Sequence, residues 1–277
     1  MKPAPQRFTD GQFLEVTIMN IIYTLPTWLI VVGLVVLTLL ATALGYRAGR
    51  ATNDVETERA YGVSTGLKAS IFGLVALILG FTYSMTSSRF DDRQRLVLDE
   101  ANSIGTCYLR AGLLSRGSAD AVRGALRRYT DVRIRLFDQG LDPEAYRRNS
   151  AAMDAQLDAL WKAVEASARS EPDLTRNSLI VPAANAVIDL SSTRAWSVRN
   201  HVPPPVILLL AICMVASGIL TGHSFGQVRR PSTYLWVVQN LLFALVLYVV
   251  LDFDRPRRGL IRVDERPLIE QRDGMNR

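Results

Sequence analysis

The chain has 277 residues, of which 49% are apolar and 21% charged, with a formal net charge of +6. So large an apolar share is wrong for an ordinary basic soluble domain and points to a membrane protein. The basic balance would suggest nucleic acid in a soluble chain. Here the arginines flank apolar runs or alternate with Asp and Glu, so membrane orientation accounts for them and no nucleic-acid partner is expected.

Residues 1–24 place Leu14, Ile18, Ile21 and Ile22 on one helical face. This is either an amphipathic segment lying on the membrane surface or a disordered tail. Translation starts at Met1 or at Met19. Residues 25–46 carry no charge and match the roughly 20 residues needed to cross a bilayer, with Trp28 and Tyr46 as interfacial anchors. Ala41-Thr42-Ala43 imitates a signal-peptidase site, but the apolar run exceeds the roughly 7–15 residues of a signal-peptide core and starts far from Met1, so an uncleaved helix is expected. Residues 47–68 read as a polar loop. Its Asn53, Asp54, Glu56 and Glu58 either bind a cation or belong to a solvated turn.

From Gly66 to Arg95 an apolar helix runs through Thr86-Ser87-Ser88 into the charged Arg89-Phe90-Asp91-Asp92-Arg93, and no Gly, Pro or turn cluster separates the apolar half from the charged half. Helices stop at recognisable signals and none occurs here, so one helix is expected to leave the membrane and continue to about residue 114. Three more helices follow, near 119–138, 144–170 and 174–200. Their apolar stripes are Val122, Ala125, Leu126, Tyr129, Val132 and Leu136; then Met153, Leu157, Leu160, Trp161, Val164 and Ala168; then Val181, Ala184, Ile188 and Ala195. Pro182 should start or kink the last of them. Buried against one another, these stripes make a bundle. Pro203-Pro204-Pro205 marks re-entry into lipid, followed by spans at 206–221 and 233–251.

The expected fold is therefore all-α, with four transmembrane helices and a cytoplasmic helical bundle inserted between helices 2 and 3. The domains are 1–24, 25–88 (helices 1 and 2), 89–203 (bundle), 204–253 (helices 3 and 4) and 254–277 (tail). Orientation follows the positive-inside rule. Lys2, Arg7, Arg89, Arg93, Arg95, Arg194, Arg199, Arg255, Arg257, Arg258, Arg262 and Arg266 on one side outnumber Arg47, Arg50, Arg59, Lys68, Arg229 and Arg230 on the other. The bundle and both termini are expected in the cytoplasm.

No Walker loop, nucleophile elbow, zinc-protease motif or dinucleotide fingerprint occurs, so no catalytic, cofactor or metal residues and no enzyme activity are expected. His201 and His223 fall at helix ends near headgroups. Cys107 and Cys213 fit no disulfide spacing. Asp131 and Arg135 read as a surface salt bridge, and Asp154 and Asp158 as a solvated face. Glycines four apart, at 45 and 49, 62 and 66, and 218, 222 and 226, permit close helix approach. Gln239 and Asn240, inside a span, either bond to a neighbouring helix or face a water path. On the second helix Gly73, Leu77 and Phe81 share one face, with Thr82, Ser84, Thr86, Ser87 and Ser88 beyond them. In a ring of subunits this face would form an apolar constriction leading to a hydroxyl- and arginine-rich vestibule; in a monomer it would be core.

Leu79-Gly80-Phe81, the hydroxyl stretch and Arg89-Phe90 resemble the second membrane helix of bestrophins, the pentameric anion channels. From residue 25 onward the chain resembles the bacterial bestrophin-like (DUF4239) membrane proteins. The segments that carry this are Ser87-Ser88-Arg89-Phe90, residues 100–110, residues 188–194 and residues 251–263. The resemblance implies a homo-oligomer, a pentamer by analogy, in the bacterial inner membrane. The lipid bilayer and a small anion such as chloride are the implied partners, with Leu77 and Phe81 at the constriction. Gly73 departs from the pattern, which has a bulky residue there. The calcium-binding acidic run has no counterpart, since arginines and Pro256 follow Asp252 and Asp254. Asn102, Arg110, Asp189, Arg194, Asp252, Asp254 and Arg255 are expected to form a polar network where bundle and membrane meet. That network either joins the tail to the long helix or binds a regulatory ligand. Two functions are thus expected: an oligomeric anion channel, or a non-conducting membrane-anchored interaction or sensing module.

Overall fold

The computed structural model describes residues 25–51, 58–138, 143–170, 173–228, 233–255 and 260–277. The described residues form helices and no strands: α1 (Thr27–Ala51), α2 (Glu58–Ala111), α3 (Arg116–Asp138), α4 (Pro143–Ser170), α5 (Leu174–Arg199), α6 (Pro204–Val228), α7 (Thr233–Phe253) and α8 (Arg266–Met275). Four of the helices carry stretches long and apolar enough to cross a membrane. The chain divides into two compact units, one from residues up to Ser88 with Val202–Asp254, the other from Arg89–His201 with Arg255–Arg277.

In the first unit α1 packs along α6, and the glycine spacing explains how closely. A Cβ built on Gly45 or Gly49 would overlap the carbonyl of Ile219 or His223, and one on Gly222 or Gly226 that of Thr42 or Tyr46. Only a bare Cα admits the facing backbone. Thr42 removes its own hydroxyl from the apolar interface by donating to the Thr38 carbonyl at 2.8 Å. Val75 and Leu79 of α2 share a core with Leu210 and Met214 of α6 and Ala244, Leu247 and Leu251 of α7. Gln239 reaches a neighbouring helix, donating to the Ser217 hydroxyl and accepting from Thr221, both at 3.3 Å. Asn240 instead donates to the Trp236 carbonyl on its own helix at 2.8 Å.

In the second unit, Val97, Ala101, Ile104 and Cys107 of α2 pack against Val122, Leu126 and Tyr129 of α3, Leu160 and Val164 of α4, and Ile180, Ala184 and Val187 of α5. The last segment is not a loose tail. Leu268 and Met275 of α8 belong to the same core, and the Met275 carbonyl accepts from Tyr108 at 2.9 Å and from Arg127 Nη2 at 2.7 Å. A cation at a helix C-terminus also meets the negative end of its dipole.

Several boundaries differ from the sequence expectation. Most of residues 47–68 is helical, because α1 runs to Ala51 and α2 begins by Glu58; Arg, Ala and Glu near those ends favour helix and no proline intervenes. Asn53, Asp54, Glu56 and residues 1–24 lie outside the described residues. The prolines at 203–205 do more than break the chain: α6 starts at Pro204, where a missing N–H is harmless. Pro182 lies inside a continuous α5, on its exposed side, where water can serve the carbonyl left without a donor. Asp131 and Arg135 form no ion pair among the described residues.

The buried face of α5 is one residue out of phase with the expected stripe. It consists of Ile180, Ala183, Ala184, Val187, Ser191 and Arg194; of the expected stripe Ala184 is buried, whereas Val181, Ile188 and Ala195 are only partly so. Two polar members, Ser191 and Arg194, hid the stripe from a purely apolar pattern.

Candidate functional site

Two groupings stand out, one in each unit. In the first, α2 is two-sided. Val75, Leu79, Thr82 and Thr86 are buried, and both threonines return their hydroxyls to helix carbonyls, Thr82 to Ile78 at 2.8 Å and Thr86 to Thr82 at 2.9 Å. The other side is uncovered. Leu77 is 54% and Phe81 67% exposed, Gly73, Ser84 and Ser88 are exposed with them, and nothing lies within 4 Å of a Cβ built on Gly73 or Gly80.

In the second unit, Glu100 of α2 is buried among charged groups. Its Oε2 accepts from Arg133 Nε at 3.2 Å and from Arg194 Nη1, and its Oε1 accepts from the Tyr129 hydroxyl. Arg194 Nη2 continues to Glu265 Oε1 at 2.5 Å. Tyr129 and Arg133 stand one turn apart on α3, so a single helical face presents both to Glu100. Two carboxylates and two guanidiniums balance, which is how buried charge is tolerated. Burial opposes ionisation of Glu100, but the charges of Arg133 and Arg194 and the Tyr129 hydrogen bond outweigh it and hold the carboxyl below the ordinary value of 4.5. For Glu265 burial wins and the carboxyl is raised above 4.5, although Arg194 and Arg133 pull it down. The two directions differ because Glu100 receives three donors and Glu265 one.

The residues expected to form a polar network are placed as follows. Arg194 is at the centre of the second unit's cluster. Arg110 donates to the Leu179 carbonyl at 3.0 Å. Asn102 and Asp189 are exposed, and the Asp189 carbonyl accepts from Thr193. Asp252 and Asp254 are buried in the first unit, where Asp254 Oδ1 accepts from the Val202 amide at 3.0 Å. Arg255 is buried in the second. Sequence reasoning missed Glu100, Tyr129, Arg133 and Glu265 as partners. The available signal was an acid on the apolar face between Val97, Ala101 and Ile104.

The same unit contains a cavity of about 260 Å³, with Arg93, Arg133, Arg194 and Arg199 on its wall together with serines and apolar side chains. Arg93 is also anchored to α5, donating to the Ser197 carbonyl at 3.3 Å and the Asn200 carbonyl at 3.0 Å.

These features define a helical membrane protein with a second, charge-tied helical unit. Residues 28–268 match the family model of the Bestrophin-like domain, and the chain belongs to that family. Among solved structures it is similar to two variants of a bacterial bestrophin homologue from Klebsiella pneumoniae. One has a TM-score of 0.63 at 15% identity, over 88% of this chain and 97% of that one; the other has 0.59 at 12% identity, over 88% and 99%. A further membrane-protein structure matches with a TM-score of 0.58 at 13% identity, over 88% and 95%. At these identities the likeness concerns the fold. No curated protein matches.

Proposed function

We propose that the chain is one subunit of a homo-oligomeric anion channel in the bacterial inner membrane, with chloride as the simplest permeant ion. Leu77 and Phe81 line its constriction, and the second unit and both termini lie in the cytoplasm. The observation that carries this reading is the uncovered Gly73–Leu77–Phe81 face of α2, on a helix whose opposite face is packed. A ring of copies would turn those side chains toward a common axis, as in an apolar gate. The excess of arginines beside the spans supports the orientation. No described span carries Asp, Glu, Lys or Arg near its middle, which argues against proton-coupled transport.

The test is the mass of the purified protein in native-like bilayers, combined with chloride flux from liposomes. A ring is expected, with flux lost on Phe81→Trp and kept on Leu174→Ser, a change at a residue 88% exposed in the second unit. A monomer in bilayers would overturn the channel reading. The competing reading, a non-conducting sensing module, would then gain: exposed Leu109 and Leu174 would serve to dock a partner.

A further inference from the structure

Exposed apolar side chains of the second unit stand at both points where its chain joins the spans. Trp196, 66% exposed, lies in the last turn of α5, shortly before α6 starts at Pro204. Leu260, 84% exposed, and Ile261 follow shortly after α7 ends at Phe253. Both places are tied to the start of the charged part of α2. Arg89, the first charged residue after the apolar stretch, donates to the His201 carbonyl at 2.7 Å, and Arg93 donates to those of Ser197 and Asn200. Gln94 pairs with the backbone of Asp264, accepting from its amide at 2.8 Å and donating to its carbonyl at 3.1 Å. At a helical rise of roughly 1.5 Å per residue, residues 89–94 lie within about 9 Å of Ser88 along α2. The headgroup layer of a bilayer is about 5–8 Å deep on each side, so long side chains at this level reach it.

The chemistry fits such a layer. A tryptophan there keeps its ring against apolar carbon and its N–H against oxygen. Residues 255–262 contain four arginines and no acid, and basic clusters immediately after a span attract anionic headgroups. Arg199 is exposed one turn on from Trp196, on the same helical face, and Arg262 is exposed next to Ile261. Among the acids at this level Asp264 is paired with Arg266, and Asp91 and Asp92 are exposed on α2 itself. The basic contacts therefore come from α5 and from the segment after α7.

We propose that Trp196, Leu260 and Ile261 are sunk into the headgroup layer of the bilayer that the chain spans, with Arg199 and Arg262 holding the phosphates of anionic phospholipids. A soluble phosphate would leave these apolar side chains in water, and a second copy presenting the same face would set arginine against arginine. The inference rests on the spans crossing a bilayer; neither conduction nor the side on which the second unit lies enters it.

The test uses the full-length protein in lipid nanodiscs. Trp196 is made the single tryptophan by Trp28→Phe, Trp161→Phe and Trp236→Phe, and its fluorescence is expected to be quenched by phospholipid carrying a nitroxide on the headgroup. Moving that single tryptophan with Trp196→Phe and Leu109→Trp, about 30 Å along α2 from Ser88, should abolish the quenching. Wild type taken from bilayers of equal phosphatidylglycerol and phosphatidylcholine should retain phosphatidylglycerol in excess by native mass spectrometry. Arg199→Gln and Arg262→Gln should each lower that excess about fivefold. This second readout keeps the native tryptophans and so decides the matter even where the triple replacement does not fold. Trp196→Ser should leave the mass of the protein assembly unchanged. The proposal is overturned if Trp196 in the folded variant is not quenched or position 109 is quenched as strongly. Equal retention of the two lipids, or release of the retained lipid by soluble glycerol phosphate, also overturns it. So does a Trp196→Ser variant that splits an oligomer with lipid retention intact, which would assign the face to a neighbouring copy.

Discussion

At Glu100 a single side chain holds two buried guanidiniums and a tyrosine hydroxyl. Neutralising it as Glu100→Gln leaves both arginines short of counter-charge, so a loss of about 3–5 kcal/mol is expected in denaturant melts. Tyr129→Phe removes one hydrogen bond to a charged group and should cost about 1.5–3 kcal/mol. The pH dependence follows from the directions of the two shifts. Glu100 is lowered, so its contribution is present above 4.5 and is lost as pH falls through its folded value. Glu265 is raised, so ionising it costs stability as pH rises above 4.5 through its folded value. Glu265→Gln weakens one of the two acceptors of Arg194 but also removes a carboxylate whose ionisation burial disfavours, so its loss of stability at neutral pH should be smaller than that of Glu100→Gln. Melting temperatures across a pH series test this, and a loss as large as that of Glu100→Gln would reverse the assigned sign.

At the scale of elements, the α1–α6 pair rests on glycines that cannot be enlarged. Gly222→Ala puts a methyl into the Thr42 carbonyl, and forcing the helices apart is expected to cost about 1–3 kcal/mol. Gly73→Ala meets nothing within 4 Å and should gain up to about 1 kcal/mol of helix propensity. Thermal stability in detergent separates the two; equal effects would deny the close approach. The repeat at 45 and 49 and at 218, 222 and 226 was legible because its period is helical and glycine has no alternative use there. The phase of α5 was not legible. Its buried face includes an arginine made tolerable only by Glu100 and Glu265, which lie 94 and 71 residues away in the chain.

For the whole molecule, the question is what covers the open face of α2. Leu77→Cys in a chain without other cysteines should form disulfide-linked subunits under mild oxidation if copies of this face meet at an axis, and Leu77→Cys paired with Gly222→Ala should lose them if the α1–α6 pair holds the subunit in shape. Gel mobility without reductant reads both. A variant that stays uncrosslinked while the protein remains oligomeric would put this face toward lipid instead.

Hydrophobic runs, helical periodicity and the scarcity of breakers determined by themselves that this is an all-helical membrane protein with one helix running from the apolar stretch into the charged one. These are local properties, written within a few turns of chain. Only the tertiary structure decided which polar groups meet. The Glu100 cluster and the folding of α8 onto the second unit join positions far apart in sequence, and the cost of burying each charge is met by a partner that no local pattern reveals. The α2 face that Leu77 and Phe81 share was marked by spacing; that it stays uncovered in a single chain emerged only once α1, α6 and α7 were packed.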